Sequence, residues 1–67
     1  MLSARNQFKG VVKSVKLGEV MAEVVVTVGP VEIVSVITRA SAEALGLKPG
    51  DEVRAVIKST EVLIDKP

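Results

Sequence analysis

The chain has 67 residues, of which 48% are hydrophobic, and nine Lys and Arg against eight Asp and Glu leave a net charge of +1. This length allows one domain at most, with a thin core. The chain contains no cysteine and no histidine. This composition excludes disulfides, thiolate zinc sites and histidine-based catalysis. Small chains that lack such means of stabilisation commonly associate, so we expect a homo-oligomer whose subunits share a core.

The composition and the hydropathy pattern of the chain argue against nucleic-acid and membrane partners. A nucleic-acid binder normally carries a basic excess and aromatic stacking positions, whereas this chain is nearly neutral and Phe8 is its only aromatic residue. No apolar run approaches the roughly 18–20 residues that span a bilayer, and the first residues lack the apolar core of a signal peptide. We therefore expect a cytoplasmic protein with no nucleic-acid and no membrane partner.

Valine-rich runs predict short β-strands in the first half of the chain. The first strand is expected over Asn6–Lys16 and the second over Val20–Val28. Gly29-Pro30 indicates a turn, and Val31–Thr38 is the third strand. Because valines fall on both faces of the second and third strands, we expect both faces to be covered, with another subunit as the second cover.

The second half of the sequence predicts a short helix and two further strands. The helix is expected over Ser41–Leu45, because Ser41 suits its N-cap and a glycine follows its last residue. Pro49-Gly50 predicts a type II turn, followed by strands over Glu52–Lys58 and Val62–Ile64. This order predicts an all-β, OB-like five-stranded Greek-key barrel with one short helix between strands 3 and 4.

Side chains suited to catalysis are few. A Ser or Thr nucleophile needs a base, and the carboxylates show no repeated spacing that favours an acid–base pair. The sequence has no glycine-rich phosphate loop. We expect a binding protein and not an enzyme.

Hydroxyl and cationic side chains are neighbours in three segments, Ser3-Ala4-Arg5-Asn6, Thr38-Arg39-Ala40-Ser41 and Lys58-Ser59-Thr60. The second segment also places N–H groups at a helix N-terminus, which favours an anion. A fully deprotonated tetrahedral dianion only accepts hydrogen bonds, so its site must consist of donors. Hydrogen phosphate carries a proton and needs an acceptor, which such a site would not offer. Taken singly, each segment is more simply explained as a polar tail, a helix cap or a solvated turn.

Taken together, the segments resemble the molbindin family, small molybdate- and tungstate-binding proteins made of a single Mop domain. The resemblance covers essentially the whole chain and implies that residues 1–67 form a single Mop domain. It rests on the opening Ser3-Ala4-Arg5-Asn6-Gln7, on Ile37–Leu47 around the predicted helix, and on Ile57–Val62 with its Lys-Ser-Thr-Glu-Val sequence.

The resemblance implies a homohexamer, built as a trimer of dimers, that holds molybdate or tungstate between subunits for intracellular storage or homeostasis. It places oxyanion binding at Ser3, Arg5, Asn6, Thr38, Ser41, Lys58 and Ser59. The cations Lys58 and Arg5 would balance the charge of the anion, and the hydroxyl groups would donate hydrogen bonds. No side chain would ligate the metal directly, because the metal is held as its oxyanion. The role of Arg39 is left open.

Two alternative functions do not involve oxyanion binding. The stretch Leu45–Val53 also resembles DNA-binding transition-state regulators with a swapped-hairpin barrel. That likeness is local and leaves the opening motif and Lys58-Ser59-Thr60 unexplained. The other alternative is an oligomerisation module with no ligand.

Overall fold

The computed structural model describes residues 4–67, so the predicted site residue Ser3 lies outside the described residues. The elements in chain order are β1 (Asn6–Leu17), β2 (Met21–Val28), β3 (Val31–Thr38), α1 (Arg39–Leu45), β4 (Glu52–Ile57) and a 3₁₀ turn (Ser59–Glu61). The predicted bounds of the first four strands agree with these to within one residue. Within residues 4–67, no helix has the length and apolar character needed to cross a bilayer.

The strands form one antiparallel sheet in the order β3-β2-β1-β4. β1, β2 and β3 follow one another as hairpins, and β4 returns after the helix to pair with the first half of β1, from Asn6↔Ile57 to Val11↔Glu52. This is the Greek-key order of strands. The mostly antiparallel sheet and the short helix between strands 3 and 4 are as the sequence predicts.

The fifth strand predicted over Val62–Ile64 is not found, since the part of the chain that the structure describes has four strands. The side chains of Leu63 and Ile64 are 94% and 89% exposed, so this segment lies away from the sheet. A strand forms only where a neighbouring strand pairs with its backbone groups, and the segment has no such neighbour among the residues that the structure describes. As a result β3 and β4 remain the edges of the sheet, and the barrel is open between them.

The helix begins earlier than predicted, and its N-cap is Thr38 instead of Ser41. Thr38 has extended backbone angles, and its Oγ1 accepts a hydrogen bond from the Ser41 N–H at 3.1 Å. Two hydroxyl residues that suit an N-cap, Thr38 and Ser41, lie three positions apart in the sequence. Thr38 is the cap because β3 ends at this residue and the helix follows directly. Gly46 ends the helix with a left-handed φ of 62°, as predicted.

The core of the molecule is small and is built mainly of valine. Val12, Val24 and Val26 are buried, and partly buried residues of β1, β2, β3 and β4 pack against them. Gly10 allows β1 to pass close to β2, because a Cβ there would lie 2.5 Å from the Thr27 carbonyl oxygen. The sequence marks Gly10 as a bulge or bend, and the irregularity in the ladder itself follows shortly after, between Val12 and Ser14.

Candidate functional site

The β1–β4 ladder brings two of the predicted site segments together. Asn6 lies opposite Ile57, so Arg5, one residue before Asn6, and Lys58, one residue after Ile57, leave the same end of the ladder. Arg5, Lys58 and Ser59 are exposed, and Asn6 is half-buried. Two cations and a hydroxyl donor from opposite ends of the sequence thus share one end of the sheet.

The positive charges at this end of the sheet are not neutralised by carboxylates of the described residues. The ion pairs found within residues 4–67 are Lys13–Glu32 and Arg39–Glu43. Lys58 stands with extended angles at the start of the 3₁₀ turn, where its carbonyl accepts the Glu61 N–H at 2.9 Å. The backbone of Lys58 is thereby fixed while its side chain extends into solvent.

A third pair of predicted residues, Thr38 and Ser41, forms a short hydrogen-bonded chain. Thr38 Oγ1 accepts the Ser41 N–H and donates to Ser41 Oγ at 2.7 Å. The hydroxyl proton of Thr38 is therefore engaged, while that of Ser41 stays available to an acceptor outside. Both residues are exposed.

Fewer backbone donors are available at the start of α1 than the sequence suggests. The N–H of Arg39 donates to the Val20 carbonyl at 2.7 Å, and the N–H of Ser41 is capped by Thr38. Side-chain hydroxyls are thus the main donors that this end of β3 presents to solvent.

Arg39 has a structural role that the sequence leaves open. Its Nη1 donates to the Gly18 carbonyl at 3.2 Å, and its Nε lies 3.5 Å from Glu43 Oε1. The guanidinium therefore ties the β1–β2 turn to the helix, and its charge is paired within the chain.

One contact near the site could not be predicted from the sequence. Arg54 Nη1 donates to Gln7 Oε1 at 3.0 Å, and Gln7 Nε2 donates to the Ala4 carbonyl at 2.7 Å. These bonds hold the opening segment against β4. Since 47 positions separate Arg54 from Gln7, only the β1–β4 register reveals the pair.

The predicted site residues fall into two groups at opposite ends of β1. Thr38 pairs with Met21, and the next residue, Ala22, lies opposite Leu17 at the end of β1. Asn6 stands at the beginning of β1, which has 12 residues and a contour of roughly 40 Å at about 3.3 Å per residue. The two groups therefore leave opposite ends of β1, at positions that the ladder pairs do not bring side by side.

Comparisons with known proteins agree on one family. A family model described as the TOBE domain matches residues 2–64. Molybdenum-pterin-binding protein 3 of Clostridium pasteurianum is 53% identical over 64 residues, which cover 94% of this chain and 94% of that protein.

Solved structures give the same result. A molybdate binding protein from Sporomusa ovata has a TM-score of 0.93 and 39% identity, and the match covers 98% of each chain. The cytoplasmic molybdate-binding protein ModG, solved with molybdate bound, has a TM-score of 0.82 and 45% identity over 88% of this chain and 43% of that chain.

Proposed function

The chain belongs to the TOBE domain family, as a molbindin, and from this premise we propose that it binds molybdate and tungstate between the subunits of a homo-oligomer. Residues 1–67 then form a single Mop domain that stores or buffers the oxyanion in the cytoplasm and catalyses no reaction. The assembly we propose is the homohexamer, a trimer of dimers, that the resemblance implies.

One observation supports an interface site above the others, namely the split of the donor groups between opposite ends of β1. Arg5, Asn6, Lys58 and Ser59 gather at one end, and Thr38 with Ser41 at the other. Two copies that meet end to end would combine the charges of one group with the hydroxyls of the other. Ser3 precedes Arg5 by two positions in the sequence, and we include it in the proposed site.

The energetics also favour a shared site. A dianion that leaves water loses its hydration, and each charge-assisted hydrogen bond returns about 1.5–3 kcal/mol. Exposed donors on one chain leave the anion in contact with water, where these bonds contribute little. Burial between copies removes that water, so binding and assembly should stabilise each other.

Apolar surface on β3 supports the association of copies. The side chains of Val34 and Val36 are 59% and 61% exposed, on the face of the sheet that points away from the core. Exposed valines on adjacent outward positions of a strand are typical of a surface that another subunit covers.

Equilibrium dialysis against molybdate, tungstate, sulfate and phosphate tests the proposal. We expect uptake of the first two at concentrations where the protein takes up little phosphate, because a shell of donors offers no acceptor to the proton of hydrogen phosphate. Equal uptake of the four anions, or no uptake of any, would contradict an oxyanion site of this kind.

A DNA-binding regulator has less support. The stretch Leu45–Val53, which carries that resemblance, forms the end of α1, a turn and the start of β4, and all of it lies within the residues that the TOBE domain model matches. A salt-sensitive mobility shift on duplex DNA would favour this alternative.

A further inference from the structure

The β1–β4 ladder contains an arginine whose hydrogen bond points towards the start of β1. Arg54 of β4 lies directly opposite Lys9 of β1, and like charges that face each other destabilise a sheet. Both side chains are exposed, and within residues 4–67 neither makes an ion pair, although Glu52 shares a face with Arg54. Instead Arg54 Nη1 donates to Gln7 Oε1 at 3.0 Å. The guanidinium is therefore held by a neutral acceptor, on the side where the proposed site lies.

Gln7 passes this contact on to the residues before β1. It lies opposite Val56, so it is the diagonal neighbour of Arg54 across the ladder, a separation that long side chains bridge. Its Oε1 accepts from Arg54, and its Nε2 donates to the Ala4 carbonyl at 2.7 Å. Because the amide of glutamine accepts at its oxygen and donates at its nitrogen, one side chain joins β4 to the backbone that precedes β1.

We propose that Arg54 is a positioning residue of the oxyanion site, which acts through Gln7 to hold Arg5 in place before the anion arrives. This inference rests on the proposed function, which assigns Arg5 to the anion. Ala4 directly precedes Arg5 in the sequence, and the β1–β4 ladder begins one residue after Arg5, at Asn6. The backbone of Arg5 therefore lies between two anchors, the hydrogen bond to Ala4 on one side and the ladder on the other.

The benefit of this arrangement is pre-organisation. A chain segment outside a ladder loses conformational freedom when it is fixed around a ligand, and a segment already held in its bound geometry loses less. Without the bond to Ala4, only the ladder on one side would restrain Arg5. We therefore expect the contact between Arg54 and Gln7 to raise the affinity for the anion although neither side chain touches it.

The same arrangement explains why a neutral residue stands at position 7. A glutamate there would accept a stronger, charge-assisted hydrogen bond from Arg54, but its ionised carboxylate could not donate to the Ala4 carbonyl. Gln7→Glu should therefore keep or raise the stability to urea while the affinity for tungstate falls. A purely structural role of Gln7 does not predict this split, and a Gln7→Glu variant with undiminished tungstate affinity would contradict the inference.

Tungstate titrations of full-length variants separate positioning from the effect of charge. Gln7→Met keeps the length and the charge of the side chain but deletes both hydrogen bonds, and should raise the Kd for tungstate on the order of tenfold. Lys9→Met removes a cation opposite Arg54 and leaves both bonds intact, so it measures charge alone. Arg54→Met should weaken binding more than Lys9→Met does, and in the Gln7→Met background its effect should shrink to that of Lys9→Met. Equal effects of Arg54→Met in both backgrounds would overturn the inference.

A second measurement needs no oxyanion. Nitrogen relaxation by NMR on the ligand-free protein gives the order parameter of the Arg5 amide, which should fall in Gln7→Met and in Arg54→Met and stay unchanged in Lys9→Met. An Arg5 amide that keeps its order in Gln7→Met overturns the inference, even if the parent protein binds tungstate. Loss of order in that variant, together with no tungstate uptake by the parent, refutes the proposed function and supports the anchor, so the two can fail separately.

Discussion

Lys58 stands where β4 ends and the 3₁₀ turn begins, with its side chain exposed. Lys58→Ala should lower the affinity for tungstate by about 2–4 kcal/mol, because the anion would lose a charge-assisted partner at the proposed subunit interface. The fold should persist, since the side chain makes no ion pair with a residue of the described chain. Titration calorimetry measures the affinity, with Lys66→Ala as the matched control. Equal affinity of Lys58→Ala and the parent protein would remove Lys58 from the site.

Thr38 and Ser41 should respond differently to removal of the hydroxyl group. Thr38→Ala deletes the acceptor that caps α1 and should lower the free energy of unfolding by about 1 kcal/mol. Ser41→Ala keeps the backbone N–H that Thr38 caps, so its stability should change by less than about 0.5 kcal/mol while tungstate affinity falls. Urea unfolding and a tungstate titration on both variants give the comparison. If Ser41→Ala instead lowers the free energy of unfolding and leaves the tungstate affinity unchanged, Ser41 acts in the helix cap and does not donate to the anion.

At the scale of the elements, Gly10 determines how β1 crosses β2. A Cβ at this position would approach the Thr27 carbonyl oxygen at 2.5 Å and methyl groups of Val26 and Val28 at 2.8 Å. Gly10→Ala should therefore destabilise the protein by about 1–3 kcal/mol, because the backbone of β1 must shift. Lys9→Ala, at the exposed neighbouring position, should change stability by less than about 0.5 kcal/mol. Chemical unfolding at one fixed protein concentration measures both, and an equally stable Gly10→Ala would contradict the close approach.

The strands of the sheet could be predicted because valine-rich runs favour β-structure and because glycine and proline separate these runs. Val31–Thr38, for example, is a strand with the predicted bounds. The prediction was not confirmed at Val62–Ile64, where the local pattern favours a strand but residues 4–67 supply no neighbour to pair with it. It was wrong for the helix cap, because Thr38 and Ser41 both suit that position and only the direction in which β3 enters the helix selects Thr38.

The candidate site could be predicted only in part, for a similar reason. The cations and hydroxyls of the three segments are visible in the sequence, but their grouping depends on the register Asn6↔Ile57. The bond between Arg54 and Gln7, which steadies the opening segment, depends on the same register. Ser3 lies outside the described residues, and its place in the site remains a prediction.

For the whole molecule, a single chain leaves several features incomplete. The valines on the outer face of β3 are exposed, the barrel is open between β3 and β4, and the donor groups stand at opposite ends of β1. Association of copies would cover the exposed valines and the open side of the barrel. It would also bring the two donor groups together. Since specific binding must stabilise the bound state, the melting temperature should rise with molybdate or tungstate and much less with phosphate, because the proton of hydrogen phosphate finds no acceptor in a shell of donors. A melting temperature that no oxyanion changes would favour the oligomerisation module without a ligand.

Sedimentation velocity with tungstate in the buffer tests most directly whether copies of this chain enclose the anion together. The bound tungstate should sediment with an assembly of several chains, and dilution that dissociates the assembly should release the anion. Tungstate that stays bound to a single protomer, at saturation and after dilution, would contradict the interface site.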